Sequence, residues 1–206
     1  LLQRVCDNNL DVAVGKVVYT QFLNSRGGVV ADVTITRLEP QLFRIVTGSA
    51  FIGHDLGWVL MHLDPADGPV DVREVTEDYA VLGLWGPRAR DVLGAVSDSD
   101  ISNAANPYMT ARAIRLAGFD VLAQRVTYVG ELGWELYVPR ERALPAWDAL
   151  LAAGGAFGVE VGGYKVLDCL RLEKGYRYYG MDMTVLENPY EAGLGVCVRL
   201  NKGAFI

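Results

Sequence analysis

A single carboxylate, Asp32, interrupts an apolar stretch near the start of this 206-residue chain. Residues 29–35 read Val-Val-Ala-Asp-Val-Thr-Ile and predict a β-strand, in which successive side chains point to opposite faces. Asp32 then shares a face with Val30 and Thr34. Because burial of an unpartnered carboxylate is costly, Asp32 either faces solvent on the wet side of an antiparallel sheet, bonds to neighbouring backbone, or does chemistry.

A second candidate is the segment 128–136, which reads Tyr-Val-Gly-Glu-Leu-Gly-Trp-Glu-Leu. Its two glycines and Glu131 predict a turn between two strands. On the second strand Glu135 and Tyr137 share the face opposite to Trp134. A carboxylate fixed on a strand accepts two parallel hydrogen bonds from a cyclic amidine edge, which pteridines and guanines both carry. The alternative interpretation is a hairpin with exposed acids.

Other polar groups favour structural roles. Asp168 and Arg171 lie three residues apart on a predicted helix that Gly175 closes, which is typical of a surface pair near a helix end. His54 and His62 are eight residues apart and have no obvious partner, so we interpret both as ordinary core or surface histidines.

A glycine-rich tract at 154–158 follows a predicted helix, whereas a dinucleotide fingerprint needs a strand, then glycines, then a helix. This piece is therefore not expected to bind FAD or NAD by itself.

Composition excludes several classes of protein. The net charge is −6 and the basic residues are scattered, which argues against nucleic-acid binding. The three cysteines include no C-x-x-C spacing, so we expect neither a disulfide framework nor a metal site, but two buried thiols and one incidental thiol. That usage fits a reducing compartment. The chain contains no run of about 18 apolar residues, so no membrane span is predicted.

The hydrophobic periodicity predicts an α+β fold with mostly antiparallel sheets and flanking helices. We place the boundary between two lobes near Gly86. Strands are predicted at 17–22, 29–36, 42–47, 70–75, 79–85, 111–115, 119–128, 133–138, 159–162 and 193–200. Helices are predicted at 50–63, after Gly86-Pro87, and at 142–153 and 164–173.

Together these segments resemble the glycine-cleavage T-protein, or aminomethyltransferase, family over nearly the whole chain. The resemblance rests on the order and spacing of residues 19–24, 27–32, 86–89, 128–136, 171–175 and 189–194. The spellings Tyr-Thr-Gln-Phe-Leu-Asn at 19–24 and Glu-Lys-Gly-Tyr-Arg at 173–177 are most similar to the folate modules of dimethylglycine and sarcosine dehydrogenases or oxidases.

The resemblance implies the aminomethyltransferase folate-binding fold, without the β-barrel that normally follows the Lys-Gly-x-Phe-Ile segment at 202–206. Residues 1–86 would form a ferredoxin-like lobe carrying Asp32, and residues 87–206 a second lobe carrying the hairpin 128–135. Both would be parts of one folate-binding unit, cut at both ends from a longer chain.

Roles for individual residues are also implied by the resemblance. Asp32 matches the essential aspartate beside the reactive nitrogen of folate, and Glu135 the carboxylate that holds the pterin edge. Tyr128 matches a tyrosine that lines the site, and Tyr19 and Val46 match positions that pack on folate.

The sequence departs from the T-protein at Leu167, where the family has an Arg that grips the folate tail. Ala204 stands where iron–sulfur repair relatives carry Cys, which excludes that branch.

The implied function is tetrahydrofolate-dependent transfer of an aminomethyl or methylene group to form 5,10-methylenetetrahydrofolate, with a small amine or iminium as substrate. FAD would belong to a dehydrogenase domain absent from this chain. The location would be the cytoplasm in a bacterium and the mitochondrial matrix in a eukaryote. Three alternatives stay open: a stand-alone glycine-cleavage aminomethyltransferase, a non-catalytic folate-binding module, and a folate-dependent demethylase.

Overall fold

The computed structural model describes residues 1–206, which divide into two compact units. Unit 1 comprises residues 1–74 and 177–206, and unit 2 comprises residues 75–176. Each unit has its own antiparallel sheet and its own buried apolar cluster. The predicted α+β class is confirmed, and the chain contains no closed barrel.

Unit 1 is built on a three-stranded antiparallel meander in the order β1-β2-β3. Its elements are α1 (Leu2–Val5), β1 (Val17–Leu23), β2 (Val29–Glu39), β3 (Leu42–Val46) and α2 (Ile52–Met61). The turn between β1 and β2 begins at Asn24. The Oδ1 of Asn24 stabilises this turn by accepting hydrogen bonds from the backbone N–H groups of Arg26 and Gly28. The meander differs from the βαββαβ arrangement of a ferredoxin-like lobe.

The register of this sheet determines which side chains meet. Gln21 on β1 lies opposite Asp32 on β2, and Thr34 lies opposite both Tyr19 on β1 and Val46 on β3. Because directly opposed residues share a face, Tyr19, Asp32 and Val46 emerge on the same side of the sheet. The other face packs its apolar residues, such as Ile35, into the core of unit 1.

Unit 2 contains a four-stranded antiparallel sheet in the order β4-β7-β6-β5. Its elements are β4 (Tyr79–Trp85), α3 (Ala89–Val96), β5 (Ala111–Leu116), β6 (Phe119–Gln124), β7 (Gly133–Pro139), α4 (Ala143–Gly154) and α5 (Tyr164–Glu173). Trp134, Leu136 and Val138 of β7 are fully buried in the core with residues of α3 and α4. The predicted alternation, with Glu135 on the opposite face, is confirmed.

Three predicted strands are wrong: 70–75, 159–162 and 193–200 pair with no strand. The last segment forms successive turns, with Cys197 N–H donating to the Leu194 carbonyl and Val198 N–H to that of Gly195. Predicted strand 119–128 ends at Gln124. Apolar periodicity does not reveal whether a neighbouring edge is available for pairing, which is the reason for these errors.

The observed units also differ from the predicted lobes. The first boundary lies at residues 74 and 75, before Gly86, and residues 177–206 belong to unit 1. Backbone hydrogen bonds hold that C-terminal segment to the start of the chain, including Val29 N–H to the Glu187 carbonyl and Arg199 N–H to the Asp7 carbonyl. Leu23, Val29, Met183 and Ala192 form a buried cluster at this junction.

Short 3₁₀ helices lie between the main elements, at Ser49–Phe51, Pro65–Asp67, Thr76–Asp78, Arg140–Arg142, Gly155–Phe157 and Leu200–Lys202. No helix combines the length and the apolar character that crossing a bilayer requires.

The packing of the C-terminal segment on unit 1 predicts the effect of a side chain at Gly28. A Cβ there would lie 2.0 Å from the Val185 carbonyl oxygen. We expect Gly28→Ala to lower the free energy of unfolding by about 1–3 kcal/mol in chemical denaturation.

The matched control is Gly53→Ala on α2, where a Cβ would meet nothing within 4 Å. That variant should be neutral or more stable by up to about 1 kcal/mol. Equal stability of the two variants would contradict the close approach of Val185 to Gly28.

Candidate functional sites

Asp32 is a partly buried carboxylate with a fixed orientation. The Tyr19 hydroxyl donates to Asp32 Oδ2 at 3.0 Å from the neighbouring strand. Burial raises the pKa of Asp32 to about 6; the Tyr19 hydrogen bond opposes this rise, and the charge of Asp55 adds to it. A carboxyl group that titrates near neutrality is suited to proton transfer at physiological pH.

Unit 1 contains a second buried carboxylate that the sequence pattern does not single out. Asp55 on α2 is only 3% exposed. Its Oδ2 accepts a short hydrogen bond from the Thr47 hydroxyl, and its Oδ1 lies 2.8 Å from His54 Nδ1. His54, for which we expected no partner, therefore contacts the adjacent acid. One sequence signal could have revealed Asp55: it lies one helical turn before Val59 on a helix face that is otherwise apolar.

Tyr179, from the C-terminal segment, completes this part of unit 1. Burial raises the pKa of its hydroxyl, and the charges of Asp55 and Asp32 raise it further. Its ring contacts Phe51 edge-on, with 5.3 Å between centroids. Tyr179 is thus within electrostatic reach of both acids, a position that the sequence pattern does not predict.

Glu135 in unit 2 has a different set of neighbours. The Tyr137 hydroxyl donates to Glu135 Oε2 at 2.8 Å, and Gln124 Nε2 donates to that hydroxyl at 2.9 Å. Gln124 lies directly opposite Glu135 in the β6–β7 pairing. Burial raises the pKa of Glu135, and the Tyr137 and Gln124 hydrogen bonds oppose that rise. The carboxylate retains acceptor capacity, which fits a ligand that offers two N–H donors.

Tyr128 lies in the loop between β6 and β7, on the hairpin whose second strand carries Glu135. Its ring stacks on Tyr176 with 6.5 Å between centroids. Tyr176 also hydrogen-bonds Tyr108, whose pKa is raised by burial and by Tyr176. The sequence pattern indicates Tyr128 but not the two tyrosines that accompany it.

The predicted pair of Asp168 and Arg171 has a structural role. Arg171 is only 2% exposed, and it donates through Nε to Asp168 Oδ1 and through Nη1 to the Tyr176 carbonyl. Gly175, with φ of 69°, ends α5 in a left-handed conformation. Arg171 therefore helps to fix the helix end that precedes Tyr176.

The cysteines are free. Cys6 and Cys197 are buried and Cys169 is exposed, which matches the prediction of two buried thiols and one incidental thiol. No group of three or more His, Cys, Asp or Glu side chains is arranged to hold a metal ion.

Comparison with known proteins adds independent information. Residues 1–202 match the family described as GCVT N-terminal domain. The chain is 37% identical over 199 residues to mitochondrial sarcosine dehydrogenase of Mus musculus, covering 90% of this chain and 22% of that protein. It is 35% identical over 204 residues to mitochondrial dimethylglycine dehydrogenase of Homo sapiens, covering 98% and 24%.

A solved structure also matches the chain over nearly its whole length. The crystal structure of glycine cleavage system aminomethyltransferase T from Bartonella henselae matches with a TM-score of 0.79 and 26% identity, covering 98% of this chain and 52% of that one. The chain spans less than a quarter of the two dehydrogenases and about half of the aminomethyltransferase. The match extends over almost all of its residues and confirms the resemblance seen in the motifs, so the chain belongs to the GCVT N-terminal domain family of aminomethyltransferase-type proteins.

Proposed function

We propose that this chain is the folate-binding part of a protein that transfers a one-carbon unit to tetrahydrofolate, forming 5,10-methylenetetrahydrofolate. The observation that carries the proposal is Asp32, a partly buried carboxylate held by Tyr19, with a pKa of about 6. The family resemblance implies that Asp32 takes the place of the essential aspartate of the T-protein family.

Asp32 would act as the proton acceptor. When bound, tetrahydrofolate supplies a nitrogen nucleophile for an electrophilic one-carbon unit, such as an iminium. As the first N–C bond forms, the ionised Asp32 would accept the proton of that nitrogen on Oδ1, while Oδ2 stays bonded to Tyr19. Asp32 would then return the proton to the amine, which leaves when the second folate nitrogen bonds to the same carbon. The apolar Val46 side chain on the same face would limit access of water, which otherwise hydrolyses the iminium.

Glu135 would recognise the pterin ring. Its free acceptor sites match two parallel N–H donors of an amidine edge, and Tyr137 and Gln124 hold the carboxylate in one orientation. Tyr128, on the same hairpin, would line the ligand.

The names of the relatives support the finer assignment. Sarcosine and dimethylglycine dehydrogenases oxidise small amines, and we infer that an FAD-dependent domain elsewhere in the full-length protein supplies the one-carbon unit. Their mitochondrial labels support a matrix location if the source is a eukaryote. The match to a glycine-cleavage aminomethyltransferase supports a second candidate, a stand-alone transferase.

The first prediction concerns the transfer itself. Asp32→Asn in the full-length protein removes the proton acceptor while keeping the side-chain shape, so we expect folate-dependent transfer to fall by about 10²–10⁴-fold. The rate is measured as methylenetetrahydrofolate formed, with Asp71→Asn, an exposed acid of unit 1, as control. A rate within a few-fold of the parent protein would exclude Asp32 as the base.

The same substitution should change how stability depends on pH. The pKa of Asp32 rises from 3.8 to about 6 on folding. The folded state therefore binds this proton more tightly, and the free energy of unfolding falls as the pH rises through this range. The asparagine variant lacks this loss of up to about 3 kcal/mol.

Denaturation at pH 4 and pH 7 measures this effect. We expect the stability of Asp32→Asn relative to the parent to increase by about 2–3 kcal/mol between these values. A relative stability that is independent of pH would contradict the raised pKa.

The third prediction concerns folate affinity. Glu135→Gln replaces one acceptor oxygen by a donor, so binding of tetrahydrofolate should weaken by about 1.5–3 kcal/mol in calorimetry. Glu131→Gln, at an exposed acid in the same hairpin loop, is the control and should bind as the parent does. Equal affinities for all three proteins would rule out the pterin role.

A further inference from the structure

Lys174 lies at the end of α5, where its backbone is fixed and its side chain is half-exposed. Its backbone N–H donates to the carbonyls of Arg171 and Leu172, and the next residue, Gly175, has a left-handed φ of 69°. A lysine at the C-terminus of a helix is favoured by the helix dipole, which is its simplest role. The surroundings of its ammonium group indicate a second role.

The side chain of Lys174 crosses the bend between β6 and β7. A Cβ at Gly130 would lie 2.3 Å from Lys174 Cγ, 2.5 Å from Cδ and 2.6 Å from Cε. The apolar stem of the lysine therefore lies directly on the backbone of this bend. Gly130 itself has a φ of 76°, a conformation that favours glycine.

The ammonium group at the end of this stem is only weakly paired. Lys174 Nζ lies 3.9 Å from Glu131 Oε1, which is too long for a hydrogen bond, and both side chains are 45% exposed. An ion pair of this length and exposure contributes little free energy. Lys174 can therefore pair with an incoming anion and lose little by leaving Glu131.

A second contact joins the same two segments of unit 2. Tyr128 lies two residues before Gly130, and Tyr176 lies two residues after Lys174. The rings of the two tyrosines stack with 6.5 Å between centroids and 25° between planes. The ammonium group and the aromatic pair are therefore neighbours at the tip of the hairpin that carries Glu135.

The separation of these groups resembles the layout of a folate. Glu135 lies four residues beyond Glu131, a span of at most about 13 Å in extended chain. The hairpin thus offers a carboxylate acceptor on its strand, and an aromatic pair with a cation at its tip. A folate has a donating pterin edge at one end, and an aminobenzoyl ring followed by glutamyl carboxylates at the other.

We propose that Lys174 binds a glutamyl carboxylate of the folate tail, so that this chain favours folates with several γ-linked glutamyl residues. The inference rests on the proposed function, because that function places the pterin ring on Glu135. Each added glutamyl residue brings another carboxylate within reach of the flexible ammonium group, which raises the effective concentration of anion there. Because the tail is remote from the reacting nitrogen, Lys174 contributes to affinity and not to the rate of transfer.

The test is calorimetry on the full-length protein at low ionic strength with two probes. Tetrahydropteroylpentaglutamate carries the tail, whereas 6-methyltetrahydropterin has none. For Lys174→Gln we expect the Kd of the pentaglutamate to rise about two- to fivefold, the scale of an exposed charge pair. The Kd of the pterin should not change, and the loss for the pentaglutamate should shrink as added salt approaches about 0.5 M.

Two further variants are controls. Lys174→Arg keeps the charge and should retain the parent affinity, and Lys165→Gln, at an exposed lysine in the first turn of α5, should also bind as the parent does. In transfer assays Lys174→Gln should raise the KM for the pentaglutamate and leave kcat unchanged.

An unchanged Kd of the pentaglutamate in Lys174→Gln overturns the inference. An equal loss for the pterin without a tail also overturns it, because that result indicates a distorted hairpin. Both outcomes leave the proposed function intact, since the parent protein still binds the pentaglutamate. A parent protein that does not bind the pentaglutamate contradicts the proposed function itself, and this inference with it.

Discussion

The pairing of β1 with β2 is the constraint on which the unit 1 site depends. It opposes Gln21 to Asp32 and brings the Tyr19 hydroxyl diagonally onto the carboxylate. A slip of one residue would turn Asp32 toward the core and Val33 toward the site. The turn at Asn24, whose side-chain Oδ1 accepts hydrogen bonds from the backbone N–H groups of Arg26 and Gly28, opposes such a slip. The position of the Asp32 carboxylate therefore depends on a turn eight residues away.

The two candidate carboxylates are oriented by the same type of hydrogen bond, but their surroundings differ. Each accepts a hydrogen bond from a tyrosine hydroxyl on its own face of a sheet, Asp32 from the adjacent strand and Glu135 from Tyr137 on its own strand. The neighbours then differ, since an acid lies near Asp32 and the neutral Gln124 near Glu135. A nearby acid suits a group that exchanges a proton, whereas a neutral amide suits one that holds a ligand in place.

The alternating pattern of residues 29–35 and 133–138 was enough to predict both strands and the faces of Asp32 and Glu135. Local information could not show that residues 177–206 return to the start of the chain, because long-range packing decides this. The same limit explains the false strand at 193–200, where valines pack without a partner edge. Asp55 was missed because a sequence shows an acid on an apolar stripe but not the Thr47 hydroxyl that satisfies it.

The return of residues 177–206 to unit 1 has a consequence for how the protein is made. Unit 2 is a continuous stretch of chain inserted between two parts of unit 1. As the polypeptide leaves the ribosome, every residue of unit 2 is available before the last segment of unit 1 has been synthesised. Tyr179 and the buried Met183 arrive with that segment. The surroundings of Asp32 are thus completed only after residues 177–206 have been synthesised, well after the aspartate itself has emerged.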